Sequence, residues 1–156
     1  ADVVEQAGRA VGARLQRGGT YVCMEGPQFS TKAESRLYRQ WGVDVIGMTN
    51  MPEAKLAREA ELCYATVALA TDYDCWHDTE EAVTVEAILA TLHKNVALAK
   101  QLLKAALPKL APDRTCVCHQ ALRTAIVTAP DCISATAKRR LNLLIAPSVR
   151  TRKGKR

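Results

Sequence analysis

Residues 20–50 read TYVCMEGPQFSTKAESRLYRQWGVDVIGMTN, and the fold class turns on this stretch. Thr20 to Met24 is a short β-prone run that ends at the breaker pair Gly26-Pro27. Ser30 and Thr31 then offer side-chain oxygens to the free N–H groups of a helix start, and Glu34 stands three residues after Thr31, the spacing of a capping box. The helix is predicted to run to Arg39. Val43 to Met48 is a second apolar run of strand length, and Asn50-Met51-Pro52 supplies a cap and an N-terminal proline for a helix from about Pro52 to Glu61.

The same alternation extends outward. Cys63 to Ala70 is nearly continuous in apolar residues, which predicts a third strand buried on both faces. Val4, Ala7, Val11 and Leu15 recur at spacings of three and four, one face of a helix over residues 2–17 that stops at Gly18-Gly19. Thr79 to Ala106 reads as a long helix with Thr79 as cap and Glu80 and Glu81 in its first turn, where negative charge suits the helix dipole. Pro108 to Asp113 reads as a linker, and Thr115 to Leu144 as one or two short helices. Strands alternating with helices at this spacing predict an α/β fold, a mostly parallel or mixed sheet flanked by helices. Ligands in such folds gather at the carboxyl ends of the strands. Here those ends are Glu25–Phe29, Gly47–Asn50 and Thr71–Asp74.

The chain has 156 residues, 48% of them apolar, and a formal charge of +6. The charge is uneven. Residues 1–112 hold 12 Lys/Arg against 14 Asp/Glu, a net of −2, and residues 113–156 hold 10 against 2, a net of +8. Arg150, Arg152, Lys153, Lys155 and Arg156 lie in a segment without acidic residues, which predicts a solvated, disordered basic tail over 147–156. No aromatic residue is interleaved with these charges, so no stacking platform for nucleic-acid bases is expected. No uncharged apolar run is long enough for a membrane span, and residues 1–10 lack the pattern of a secretory signal. A soluble, cytoplasmic protein without nucleic-acid or membrane partners is the expectation.

Thr71-Asp72-Tyr73-Asp74 carries the densest chemistry. Two carboxylates at i and i+2 leave an apolar strand on one side of the chain and can face one ligand. Burial would raise a carboxyl pKa toward values useful in proton donation; the plainer reading is a loop whose carboxylates cap the next helix or face water. Met48-Thr49 is either core filler and strand residue or a thioether beside an anion-binding hydroxyl. Gly26 to Ser30 is either a plain loop entering a helix or a binding edge, with Phe29 free to stack on a planar ligand beside a helix N-terminus at Ser30 and Thr31. Val85, Ile88 and Leu89 share one helical face, by default a core face. His77, His93 and His119 are scattered without metal spacing. Of the six cysteines, Cys23, Cys63 and Cys75 read as small hydrophobes of a reducing compartment. Cys116-Val117-Cys118-His119 is a pair of plain thiols, a redox pair, or half a metal site lacking a second ligand pair.

Cys23 to Ser35, Trp41 to Thr49 and Ala70 to Trp76 closely resemble, in order and spacing, consecutive blocks of the 5′-methylthioadenosine phosphorylases, members of the purine nucleoside phosphorylase family. Residues 113–146 resemble more weakly the C-terminal extension of some prokaryotic members. The resemblance implies the C-terminal part of a nucleoside phosphorylase fold over 1–112, a helical extension over 113–146 and the tail beyond. It implies phosphorolysis of 5′-methylthioadenosine to adenine and 5-methylthioribose 1-phosphate, in purine and methionine salvage. No metal or organic cofactor is implied; inorganic phosphate is a co-substrate, and the complete enzyme is a homotrimer.

By the same resemblance Asp72 is the catalytic acid at adenine N7 and Asp74 accepts from the exocyclic amino group, with Tyr73 between them in the substrate site. Phe29 stacks near the base, Met48 lies against the ribose and Thr49 binds phosphate. Ser30 and Val85 shape specificity, and Val85, Ile88 and Leu89 line the slot for the methylthio group. Asp72 and Asp74 argue for 6-aminopurines, since a site built to hydrogen-bond an amino group rejects the analogue lacking it. Gly47 departs from members that have Asn at that position. The family's N-terminal blocks, with most of its phosphate ligands, are not matched in this chain, so the chain alone is expected to be inactive. The competing readings are a non-catalytic fragment or interaction module that keeps the purine-site fold, and a purine nucleoside phosphorylase of broader specificity.

Overall fold

The structure is a computed structural model that describes residues 1–77, 84–111 and 116–152. Its elements are α1 (Asp2–Ala10), β1 (Tyr21–Cys23), α2 (Lys32–Gln40), β2 (Val45–Gly47), α3 (Glu53–Glu59), α4 (Val85–Ala106), α5 (Ala135–Arg140) and α6 (Asn142–Arg152), with 3-10 turns at Leu107–Lys109 and Val117–Gln120. They form two compact units, Ala1–Asn50 with Ala65–Pro112, and Met51–Tyr64 with Asp113–Arg156. The segment Met51–Tyr64, read from sequence as part of the region 1–112, thus groups with the C-terminal extension.

In the first unit β1 and β2 pair in parallel, Tyr21 opposite Val45, Val22 opposite Ile46 and Cys23 opposite Gly47. Their connection is α2, so the strand–helix–strand reading of residues 20–50 holds. Thr31 caps α2 as its sequence predicts: its Oγ1 accepts from the Glu34 N–H at 3.3 Å, and the Glu34 carboxylate accepts from the Thr31 N–H at 2.7 Å and its hydroxyl at 2.9 Å. Those two bonds hold the Glu34 carboxyl below the usual carboxylate range. The core of this unit lies between α1 and α4, where Ala7, Leu102 and Ala106 are buried and Val3, Val4, Val11 and Ala105 close around them.

Several sequence readings shift. α1 ends at Ala10 rather than Arg17, because Gly12 turns the chain at φ +71° and the N–H groups of Gly12 and Ala13 return to the carbonyls of Arg9 and Gly8. Arg17 then reaches back to the carboxylates of Asp2 and Glu5. The expected cap Thr79 lies outside the described residues; α4 begins at Val85, with the Thr84 hydroxyl accepting from the Ala87 N–H at 3.3 Å. Residues 147–152 continue α6, where the sequence suggested a disordered tail.

The largest departure is the third strand. Residues 63–70 form no strand and lie mostly exposed. A parallel strand is stabilised by the ladder it joins and by layers on both faces; among the described residues the only sheet has two strands, β1 and β2. What holds this run is side-chain chemistry at its ends. The Thr66 hydroxyl donates to Asn50 Oδ1 at 2.7 Å, and the Asn95 amide donates to the Ala70 carbonyl at 2.7 Å.

Replacing Thr31 with Ala should weaken α2 by about 1 kcal/mol, the usual cost of losing a side-chain N-cap. Hydrogen exchange of the first-turn amides, including Glu34, is the measurement, and unchanged protection there would show that the capping box contributes nothing.

Candidate functional site at the strand ends

The site grows from the parallel pair. Beyond β1 the chain turns at Gly26, whose φ is +75°, and Met48 lies directly over it: a β-carbon built there would stand 3.2 Å from the Met48 sulfur. The two strand ends are thereby in contact. Beyond β2, Asn50 takes φ +82° and turns toward Thr66. Tyr21 reaches across to β2, and a β-carbon at Gly47 would collide with its hydroxyl. The departure at position 47 therefore has a partner: Tyr21 occupies the space that an Asn side chain would need. Sequence reading missed Tyr21, since only the register shows the pair.

Ser30 and Asp74 meet, although 44 residues separate them. The Ser30 hydroxyl lies 3.2 Å from both carboxylate oxygens of Asp74, the Cys75 N–H donates to Asp74 at 2.9 Å, and the Cys75 thiol donates to the Ser30 carbonyl at 3.6 Å. Half-burial by itself would raise the Asp74 carboxyl; Ser35, the Cys75 N–H and the Ser30 hydroxyl outweigh it and hold the group below the usual carboxylate range. The Ser35 hydroxyl is buried and makes no hydrogen bond of good geometry among the described residues, so it acts on Asp74 as a neighbouring dipole. Asp74 is an ionised acceptor.

Asp72 differs. It stands exposed, the water-facing alternative for a carboxylate in this loop. Tyr73 is 59% exposed and stacks on His77 with ring centroids 4.6 Å apart, while the Arg39 guanidinium lies 3.5 Å over the Trp76 ring. That last contact anchors the loop to α2 by a cation–π interaction that the sequence did not announce. Phe29 is 84% exposed, a free aromatic face, and Thr49 is exposed beside Met48. Ile88 is half-buried and Leu89 exposed in the first turns of α4; the Val85 side chain lies outside the described residues. The strand ends thus gather Ser30, Met48 and Asp74 into defined contacts and leave Phe29, Thr49 and Asp72 open.

The second unit holds a separate cluster. The sulfurs of Cys63, Cys116 and Cys118 all lie within 4.8 Å of one another, with Cys63 and Cys116 3.2 Å apart. The third thiol beside the Cys-x-Cys is therefore Cys63, read from sequence as a buried strand hydrophobe. The Glu61 carboxylate pins the two segments together by accepting from the Leu122 N–H at 3.0 Å. The Cys63 thiol, Cys118 and His119 lower the Cys116 thiol to about 7, and the same Cys116 contact raises Cys63 to about 11.

Residues 1–108 match the family model described as phosphorylase superfamily. The chain is 59% identical over 145 residues to the S-methyl-5′-thioadenosine phosphorylase of Koribacter versatilis, covering 93% of this chain and 50% of that one. It is 56% identical over 143 residues to that of Geobacter sulfurreducens, covering 92% and 50%. Among solved structures, a methylthioadenosine phosphorylase from an antarctic soil metagenomic library is similar with a TM-score of 0.79 at 46% identity, over 92% of this chain and 51% of that one. The Schistosoma mansoni methylthioadenosine phosphorylase in complex with adenine gives 0.64 at 27% identity, over 93% and 50%. The chain spans about half the length of the curated relatives it matches.

The thiol order makes a prediction. A thiol lowered to about 7 is half thiolate at neutral pH, so alkylation followed by peptide mass should modify Cys116 first, with a rate midpoint near pH 7, and Cys63 last. Equal rates at both positions across the pH range would show that the contact does not polarise the pair.

Proposed function

We propose, from the premise that this chain belongs to the phosphorylase superfamily, that it forms the purine- and ribose-contacting part of an enzyme that cleaves 5′-methylthioadenosine with phosphate, giving adenine and 5-methylthioribose 1-phosphate. The observation that carries the proposal is the Ser30–Asp74–Cys75 contact, which keeps a carboxylate ionised at the strand ends.

An ionised acceptor suits the amino group of adenine and repels the carbonyl oxygen of a 6-oxopurine. Ser30 orients Asp74 and so sets the direction in which the purine edge must lie. Asp72 is the acid. Its proton neutralises N7 as the glycosidic bond breaks, which makes the base a better leaving group. Open to water here, Asp72 is covered once bound purine and the rest of the site exclude solvent around it. Phe29 stacks on the base, with Tyr73 beside it in the substrate site. Met48, in contact with Gly26, presents its thioether to the ribose, and Thr49 donates to phosphate. Ile88 and Leu89, with Val85, form the apolar slot for the methylthio group, and Ser30 and Val85 tune specificity.

No cofactor enters this chemistry; phosphate is the second substrate. The partners are the nucleoside, phosphate and, in the complete enzyme, two further copies of the subunit, in a cytoplasmic salvage reaction. No helix among the described residues is long and apolar enough to cross a membrane.

The chain should bind adenine in preference to hypoxanthine, measured by calorimetry, and Asp74→Asn should remove most of that preference. Equal binding of the two bases by the unsubstituted chain would overturn the assignment of Asp74. In an enzyme that joins this segment to a phosphate-binding half, Asp72→Asn should lower kcat/KM for methylthioadenosine by on the order of 10²-fold. Unchanged kinetics would remove Asp72 from the mechanism.

A further inference from the structure

The purine-site reading leaves the thiol cluster of the second unit unused. Cys63 follows α3, and Cys116 and Cys118 flank and enter the 3-10 turn Val117–Gln120. Cys116 is extended at φ −80° and ψ 161°, and the helical turn begins immediately after it, so two thiols one residue apart converge instead of alternating as they would in a strand. The Leu122–Glu61 bond closes the same two segments from the other side.

Two observations point to a ligand. First, the three sulfurs are mutually within 4.8 Å. Zinc–thiolate bonds of about 2.3 Å in a tetrahedron set sulfurs about 3.8 Å apart, so small side-chain rotations bring this trio onto one ion. Second, a disulfide uses two sulfurs and leaves the third crowded beside it, whereas one cation satisfies all three.

We propose that Cys63, Cys116 and Cys118 bind a thiophilic divalent cation of the zinc class. Each thiol surrenders its proton on binding, and the ion cross-links Met51–Tyr64 to Asp113–Arg156 within one unit. Its role is to hold the fold of that unit, since it ties two segments distant in sequence together at one point.

The test uses the 156-residue chain, reduced and free of chelator, titrated with Co²⁺ and then Zn²⁺. One equivalent of Co²⁺ should give a thiolate-to-cobalt charge-transfer absorption that Zn²⁺ abolishes, and Zn²⁺ should raise the melting temperature. Cys63→Ser and Cys118→Ser should each weaken Zn²⁺ binding by more than the roughly 10- to 100-fold that loss of an outer-shell partner costs. Cys132→Ser should bind as the unsubstituted chain does. Absence of the charge-transfer absorption in the unsubstituted chain overturns the proposal, whatever the variants do. So does Zn²⁺ affinity retained in a folded Cys63→Ser chain, or a chain that stays metal-free with Zn²⁺ present and closes a Cys63–Cys116 bridge in air.

Discussion

The parallel pairing of β1 with β2 is the constraint on which the candidate purine site depends. Cys23 opposite Gly47 fixes where both strands end, and the Met24 N–H bond to the Gly47 carbonyl carries the ladder one step further. A slip of one residue would turn Tyr21 away from Gly47 and take Met48 off Gly26. The missing β-carbons at 26 and 47 are therefore structural. They let a thioether and a phenol approach the backbone at the point where ligands gather in such folds.

What the sequence disclosed was what short-range chemistry decides. The capping box at Thr31 and Glu34 involves four consecutive residues, and it formed as its spacing predicts. The apolar face of α1 likewise became the packed face against α4, though the helix ended sooner, at a glycine whose left-handed turn periodicity does not register. Residues 63–70 show the limit. Their composition states a preference for burial, and burial needs neighbours on both faces and a ladder beside them. The preference is legible in the chain; the neighbours are not supplied by the described residues.

The two acids illustrate why residue type is a weaker guide than surroundings. Asp72 and Asp74 are chemically alike and two residues apart. One is exposed, and the other accepts from a hydroxyl and a backbone N–H that favour its charge. Paired carboxylates with different environments are a recurrent way to divide acid from acceptor. The Asp74 side of that difference rests on Ser30, which the sequence suggested only as a helix cap or specificity determinant and which lies 44 positions away, at a distance no local pattern spans.

The cysteine cluster extends the same argument to the second unit. Fifty-three residues separate Cys63 from Cys116, so no spacing rule connects them, and Cys-x-Cys alone supports several chemistries equally well. Packing breaks that degeneracy by adding a third thiol, and one soft cation would engage all three sulfurs together. A unit assembled from two separated segments has few other means of fixing their relative position, which is why a cross-link at this point would stabilise it more than the same ion bound within either segment.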